Sequence, residues 1–333
     1  MTKIIGFFVN QFCERGTEIA VFNYALYNQT ILNNISIIIY PKSTHTIIEN
    51  IKKKFQTKFE VIEIDDLDGG KYKKSIYDPS RKNTYCQSLE DIIIEKKIKY
   101  LYHQKAGFKD GVLSKSAKNI MHCVFYPNEE NKHGDIYAVI SNSIGNNKYP
   151  VVPYIVEPFP NVKENMRTEL HIPNDAIVFG RHGGYTTFNL PYAHNAIKQT
   201  LLNNKNIYFL FLNTKHFCEH DRCIYIDDII TDITEKVKFI NTCDAMIHAR
   251  SGGETFGLAC AEFSILNKPV ITARCGEREH LDILGSKGIY YNNTNELYDI
   301  FDNFTKKNNN CDYNCYRIFS PNNVMKIFDD VFL

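Results

Sequence analysis

The residues with the clearest chemical potential lie in one run, His248-Ala249-Arg250-Ser251-Gly252-Gly253-Glu254-Thr255-Phe256-Gly257-Leu258-Ala259-Cys260-Ala261-Glu262. An apolar strand ends at His248, a small-residue turn follows, and helical patterning opens near Phe256. A strand–turn–helix of this kind presents free backbone N–H groups and the positive end of a helix dipole. That suits an anion such as a diphosphate. Gly252, Gly253 and Gly257 let a ligand approach the backbone closely. Two carboxylates frame the turn: Glu254 just before the helix, and Glu262 eight positions on, a little over two turns deeper. Both can face one groove. Carboxylates repel phosphate but accept well from hydroxyls, so their chemistry here is recognition of sugar and ribose hydroxyl groups.

Other clusters have simpler readings. Asp66-Leu67-Asp68 has the D-x-D form of a metal-binding pair, but it precedes Gly69-Gly70 and reads as an acidic turn. His216-Phe217-Cys218-Glu219-His220 matches the zinc-peptidase pattern H-x-x-E-H. That chemistry needs a helix to bring both histidines to one face, and the segment is squeezed between two strand patterns. Arg274-Cys275-Gly276-Glu277-Arg278-Glu279-His280 follows a strand and reads as a charged loop bordering the same ligand region. Lys52-Lys53-Lys54 reads as a solvated helix end.

The elements that must position these groups alternate. Residues 4–9, 35–40, 59–64 and 98–102 read as strands, with helices at 18–27, 44–55 and 89–96. Residues 119–126 and 136–141 complete the first half. Pro150, Pro153, Pro158 and Pro160 then mark a linker. The pattern restarts with strands at 176–180, 207–212, 223–226, 245–248, 270–272 and 288–291. Helices fall at 191–203, 231–241, 256–267 and 295–306, and an amphipathic helix closes the chain. Continuous apolar strands between helices imply parallel sheets covered on both faces, the doubly wound α/β class. The expected domains are 1–155 and 156–315, with 316–333 crossing back as a C-terminal helix. Ligands in such sheets sit at the carboxyl ends of strands, so a central cleft between two domains is the default site.

Composition bounds the partners. The chain has 333 residues, enough for about two domains. It is 44% hydrophobic and 23% charged, ordinary for a globular protein. A net charge of +1 argues against nucleic acid or an anionic membrane as a dominant partner. No apolar run approaches the ~20 residues of a membrane span, and the apolar N-terminal run is too short for a signal peptide. A cytoplasmic setting is therefore expected, with the 10 cysteines reduced and mostly structural.

Two glutamates separated by seven residues, the first within Gly252-Gly253-Glu254-Thr255-Phe256-Gly257, resemble the donor-site motif of retaining GT-B glycosyltransferases of the family-4 type, the glycosyl transferases group 1. Val178-Phe179-Gly180-Arg181 is similar to the strand and phosphate-binding arginine that open that family's C-terminal domain. Lys268-Pro269-Val270-Ile271 also fits, as does residues 10–18, which resemble an N-terminal loop whose glycine, here Gly16, lies near donor phosphates and acceptor. The resemblance implies a GT-B fold of two Rossmann-like domains and transfer of a sugar from a nucleotide-sugar to an acceptor with retention. It implies no cofactor beyond that co-substrate and no metal. Glu254 would contact the donor sugar, Glu262 the nucleotide ribose, and backbone N–H groups of Thr255, Phe256 and Gly257 the sugar or diphosphate. Arg181 would neutralise the leaving diphosphate. The family's lysine shortly after the arginine is missing from residues 181–190, leaving Lys215 or Arg250 to supply the second charge. An N-domain histidine near the reacting sugar would be His133 in preference to His103.

Two other functions fit the same architecture: a nucleotide-sugar 2-epimerase-like isomerase and a non-catalytic nucleotide-sugar-binding protein. The acceptor, whether glycan, lipid or protein, is not specified by these residues, and peripheral membrane contact is compatible with them.

Overall fold

The structure is a computed structural model that describes residues 2–13, 16–42, 44, 46–65, 86–106, 112–127, 129–228, 230, 232–306 and 311–333. Asp66 and Asp68 lie outside the described residues, as do Glu14 and Arg15 of the N-terminal loop. By internal contacts the chain divides into two units, residues 1–155 with 321–333, and 156–320.

Unit 1 carries strands β1 (Ile4–Phe8), β2 (Ile35–Pro41), β3 (Glu60–Ile64), β4 (Tyr100–Lys105), β5 (Lys118–Cys123) and β6 (Ile136–Val139). Helices α1 (Gly16–Thr30), α2 (Glu49–Gln56), α3 (Gln87–Glu95) and α4 (Asn142–Gly145) lie among them. The strands pair in the order β3-β2-β1-β4-β5-β6, all parallel. Apolar side chains on both faces explain the continuous Ile and Phe runs. One face buries Ile37, Ile39, Leu101, Leu89 and Ile93 together.

Several boundaries differ from the sequence reading, two of them at unit 1 helix starts. Gly16 is the first residue of α1, not part of the loop before it. The helix expected from residue 44 starts at Glu49, because Ile47 instead bridges Phe12 in extended form.

Unit 2 repeats the design. Its strands are β7 (Ile177–Arg181), β8 (Ile207–Leu212), β9 (Cys223–Ile226), β10 (Ala245–His248), β11 (Gly253–Glu254), β12 (Val270–Ala273), β13 (Glu277–Arg278) and β14 (Ile289–Tyr291). Helices are α5 (Pro191–Asn203), α6 (Ile233–Thr242), α7 (Leu258–Ile265), α8 (Glu279–Leu284) and α9 (Thr294–Asp302). Sequence chemistry sets several starts. Pro191 opens α5, where its missing N–H costs nothing. Asp232 caps α6 by accepting from the N–H groups of Thr234 and Glu235. The main sheet runs β14-β12-β10-β7-β8-β9, parallel throughout, which is the unit 1 order repeated in its own strand sequence. Phe179, Phe209, Phe211, Ile247, Ile271 and Phe301 share its core.

The last helix, α10 (Pro321–Phe332), packs in unit 1. Phe328 stacks on Tyr24 at 5.4 Å between ring centroids, and Phe332 meets His122 at 5.3 Å. Among the described residues, no helix is long and apolar enough to cross a membrane.

Candidate functional site

In a sheet of this strand order the chain reverses direction between β7 and β10, and ligands bind outside the carboxyl ends at such a switch point. Arg181 ends β7 and His248 ends β10. The glutamate-bearing turn follows His248 directly.

That turn is built differently from a plain helix entry. Gly253 and Glu254 form β11, which pairs with Glu277 and Arg278 of β13. The charged loop expected over Arg274–His280 is thus a two-residue strand running into α8. The pairing needs glycine on both sides. Gly253 has φ +60°, and a Cβ there would lie 2.2 Å from the Glu277 carbonyl oxygen. Gly276 has φ +66°, and its Cβ would lie 2.1 Å from the Gly252 carbonyl carbon. The helix begins at Leu258, not Phe256, because Gly257 (φ +86°) breaks the chain at the N-cap. Phe256 is buried against Tyr316 and Phe319, and its carbonyl accepts from the Tyr316 hydroxyl at 3.0 Å. Gly252 and Ser251 are exposed, Thr255 half-buried.

Each glutamate is clamped by one cation and one histidine. Arg250 Nη1 donates to Glu254 Oε2 at 2.9 Å, and His248 Nε2 lies 3.2 Å from Oε1. Burial pushes the Glu254 carboxyl up, but His248 and Arg250 outweigh it and hold the group at about 2. Lys236 Nζ donates to Glu262 Oε1 at 2.9 Å, and His182 Nε2 lies 3.0 Å from Oε2. Burial raises Glu262 as well, and Lys236 and His182 bring it down to about 2. His182 is itself stacked on Phe263, one residue beyond Glu262, at 5.6 Å. Both carboxylates are therefore ionised acceptors at neutral pH.

Arg181 is buried and fully engaged through its terminal nitrogens. Nη1 donates to the Asn213 carbonyl at 3.1 Å and Thr214 Oγ1 at 2.5 Å. Nη2 donates to the Gly184 carbonyl at 2.8 Å and Thr187 Oγ1 at 2.6 Å. Burial lowers its guanidinium to about 10, and the charge of Glu254 acts against that fall. The fork thus pins the loop after β7 while its charge is felt at Glu254. Lys215 is exposed, with its backbone N–H donated to the Tyr185 carbonyl. Arg250 touches Glu254 directly.

In unit 1, His103 lies within β4 rather than after it and is 1% exposed. Burial, then Lys105 and His133, keep its imidazole well below the usual range. His133 sits between β5 and β6, buried, with Nε2 3.3 Å from Lys105 Nζ. Near α1, Glu18 accepts from Gln11 Nε2 at 2.8 Å. Gly16 lies two residues before Glu18.

The H-x-x-E-H segment runs as a loop between β8 and β9, and His216 pairs with Asp227 at 2.9 Å. Sequence reasoning missed the roles of His182, Lys236 and Thr272, and it placed His280 only in a loop bordering the ligand region. Only one signal could have found any of them: His182 and Thr272 fall at strand ends that point into a ligand region.

No protein-family model matches the chain, and no curated protein matches it. Solved structures do. A glycosyltransferase from Rickettsia africae superposes with a TM-score of 0.64 at 14% identity, covering 99% of this chain and 94% of that one. The fold is GT-B. Anabaena HepE in complex with UDP and glucose gives 0.63 at 12% identity over 99% and 95% of the two chains. The lipopolysaccharide outer core galactosyltransferase WaaB gives 0.63 at 13% identity over 98% of each. At such identities the likeness is one of fold, and the activity must be argued from the site.

Proposed function

We propose that this chain is a glycosyltransferase that takes a sugar from a nucleoside-diphosphate donor and retains the anomeric configuration. The observation that carries the reading is the pair of ionised glutamates at the switch point of unit 2. Each has lone pairs left over after its cation and histidine, and each is held in place by them. Glu254 accepts from donor-sugar hydroxyls and Glu262 from the ribose. The diphosphate lies on backbone N–H groups of Gly252, Thr255 and Gly257, since the Gly253 N–H is donated to the Arg250 carbonyl at 3.0 Å. Phe256 serves as the buried anchor of that turn. Arg181 acts through its charge and through the loop it pins, since its terminal N–H groups are spent on protein oxygens. Arg250 supplies the second positive charge more readily than Lys215.

In the transfer, the bond from the anomeric carbon to the leaving phosphate oxygen breaks. The acceptor hydroxyl oxygen bonds to that carbon on the same face. Its proton passes to the departing phosphate oxygen, so the step calls for no protein base and no metal. Charge builds on the diphosphate as it leaves, where the cations are worth several kcal/mol. Unit 1 is the acceptor side, and His133 is its candidate catalytic residue. A cytoplasmic setting, with peripheral contact where the acceptor is a lipid, goes with this reading. The UDP complex of HepE makes UDP-sugars the first donors to try.

The test is a thermal-shift screen against UDP-, GDP-, ADP- and TDP-sugars, followed by turnover assays of wild type and Glu254→Ala. A bound donor at about 100 times its Kd stabilises by ~2.7 kcal/mol. The expected result is one stabilising donor, activity that survives a chelator, and none in Glu254→Ala with its fold intact. Unchanged turnover in Glu254→Ala overturns the assignment. Epimerised or released sugar without acceptor would make the chain an isomerase.

A further inference from the structure

Behind Glu254 runs a line of buried polar groups that the donor reading does not use. His248 and Thr272 are register partners on β10 and β12. His248 Nδ1 lies 2.9 Å from Thr272 Oγ1, and that same oxygen lies 3.1 Å from His280 Nε2 on α8. Thr272 and His280 are wholly buried, and His248 is 6% exposed. With the Glu254 contact, the chain reads His280–Thr272–His248–Glu254–Arg250.

Its protons can be counted. Burial and the neighbouring His248 bring His280 down to about 3, so it is neutral and carries one N–H. Thr272 has one O–H. A neutral His248 also has one N–H. One arrangement of neutral rings satisfies the three contacts along this line and leaves His280 Nδ1 a buried acceptor: His280 Nε2–H donates to Thr272, Thr272 O–H donates to His248 Nδ1, and His248 Nε2–H donates to Glu254. The other tautomer of His248 would place a bare Nε2 lone pair against a carboxylate oxygen at 3.2 Å, a repulsive contact. A protonated His248 donates from both nitrogens, and Thr272 must then turn its proton toward His280. In both satisfied states Glu254 receives a donated bond.

We propose that His248 is a positioning residue for Glu254, delivered in its Nε2–H form by Thr272 and His280. This rests on reading Glu254 as the carboxylate that binds the donor sugar. Two fixed donors, His248 on Oε1 and Arg250 on Oε2, leave the carboxylate no freedom to rotate. Its remaining lone pairs then point where a sugar hydroxyl can reach them. The other titratable groups that feel Glu254 are Arg181, Cys260 and Tyr316. The thiol and the phenol are both raised by burial and stay neutral, so the cations and His248 set the local charge.

The test is Thr272→Val, which removes the hydroxyl and keeps the shape, beside Thr272→Ser, which restores it. Donor kcat/KM is expected to fall roughly ten- to hundredfold in the valine variant, the worth of one bond to a charged group. It should recover in the serine variant, and the valine effect should vanish when Glu254 is already Gln. The ¹⁵N shifts of the His248 ring should report the Nε2–H form in wild type and a tautomer mixture in Thr272→Val. Should Thr272→Val fail to fold, His280→Phe breaks the chain one step further out and should give the same signature. Wild-type kcat/KM with unchanged ring shifts overturns the proposal, as does an equal valine effect in the Glu254→Gln background. Failure of the donor reading looks different: wild type then binds and turns over no nucleotide-sugar, and the positioning role falls with it.

Discussion

Lys236 Nζ donates to Glu262 Oε1 at 2.9 Å, from a helix 26 residues upstream in sequence. No lysine stands in residues 181–190, and a lysine from α6 reaches the second glutamate. With His182 on its other oxygen, Glu262 is a mirror of Glu254 with its Arg250 and His248.

Glu262→Gln keeps the shape and removes the charge. Under the proposed function, donor affinity should drop about tenfold or more, since a bond to a charged acceptor is worth roughly 1.5–3 kcal/mol. Calorimetric titration with the donor that the thermal-shift screen selects measures this. Unchanged Kd would remove Glu262 from the ribose site.

The two clamped carboxylates also fix an acid limb. Both sit at about 2 in the folded chain, below the usual carboxylate value of 4.5. A depressed carboxylate stabilises fully above its unfolded value and loses that contribution as pH falls through the folded one. Stability should therefore decline between pH 4.5 and 2, by roughly 3 kcal/mol per group at most. The stability gap between wild type and Glu262→Gln should shrink over that window in urea melts taken at several pH values.

Arg181→Lys preserves charge but not the fork. Lysine has three donors on one nitrogen, so it cannot hold Asn213, Thr214, Gly184 and Thr187 together. We expect loss of order in residues 183–187 and a tenfold or larger fall in kcat/KM. Hydrogen exchange across that loop, set beside the kinetics, separates charge from placement. Full activity in Arg181→Lys would show that charge alone suffices.

The ribbon of β11 and β13 should tolerate no side chain at its crossing. Gly253→Ala and Gly276→Ala each combine positive φ with a Cβ inside 2.5 Å of backbone. Each should destabilise by at least about 1–3 kcal/mol, whatever the substrate. Denaturant midpoints decide it; near-wild-type stability would mean that the ribbon is not held this closely.

Much of the fold was legible because local chemistry repeats. Apolar runs of strand length, proline at the start of α5 and aspartate before α6 announce their elements, and alternation fixes the parallel class. What pattern could not show was β11, β13 and α8. Gly253-Glu254 and Glu277-Arg278 are small or charged, and α8 has only six residues, so none is long enough to carry a periodicity. They become strand and helix because two glycines let separate backbones touch. The burial of His133 and His103 was hidden for the same reason: a polar residue's depth depends on what packs over it.

The site divides in the same way. Arg181 and Arg250 were named only through the family resemblance, whereas Glu254 and Glu262 could be named from type and spacing, since a strand–turn–helix brings neighbours in sequence to one place. Their partners could not. Lys236, His182, Thr272 and His280 arrive on other elements, and only the parallel register of β10 with β12 and the packing of α6 on the sheet bring them within hydrogen-bond distance. Sequence by itself determined which groups carry the charge; tertiary structure decided how each is held, because a hydrogen bond depends on distance and direction, which spacing along the chain does not encode.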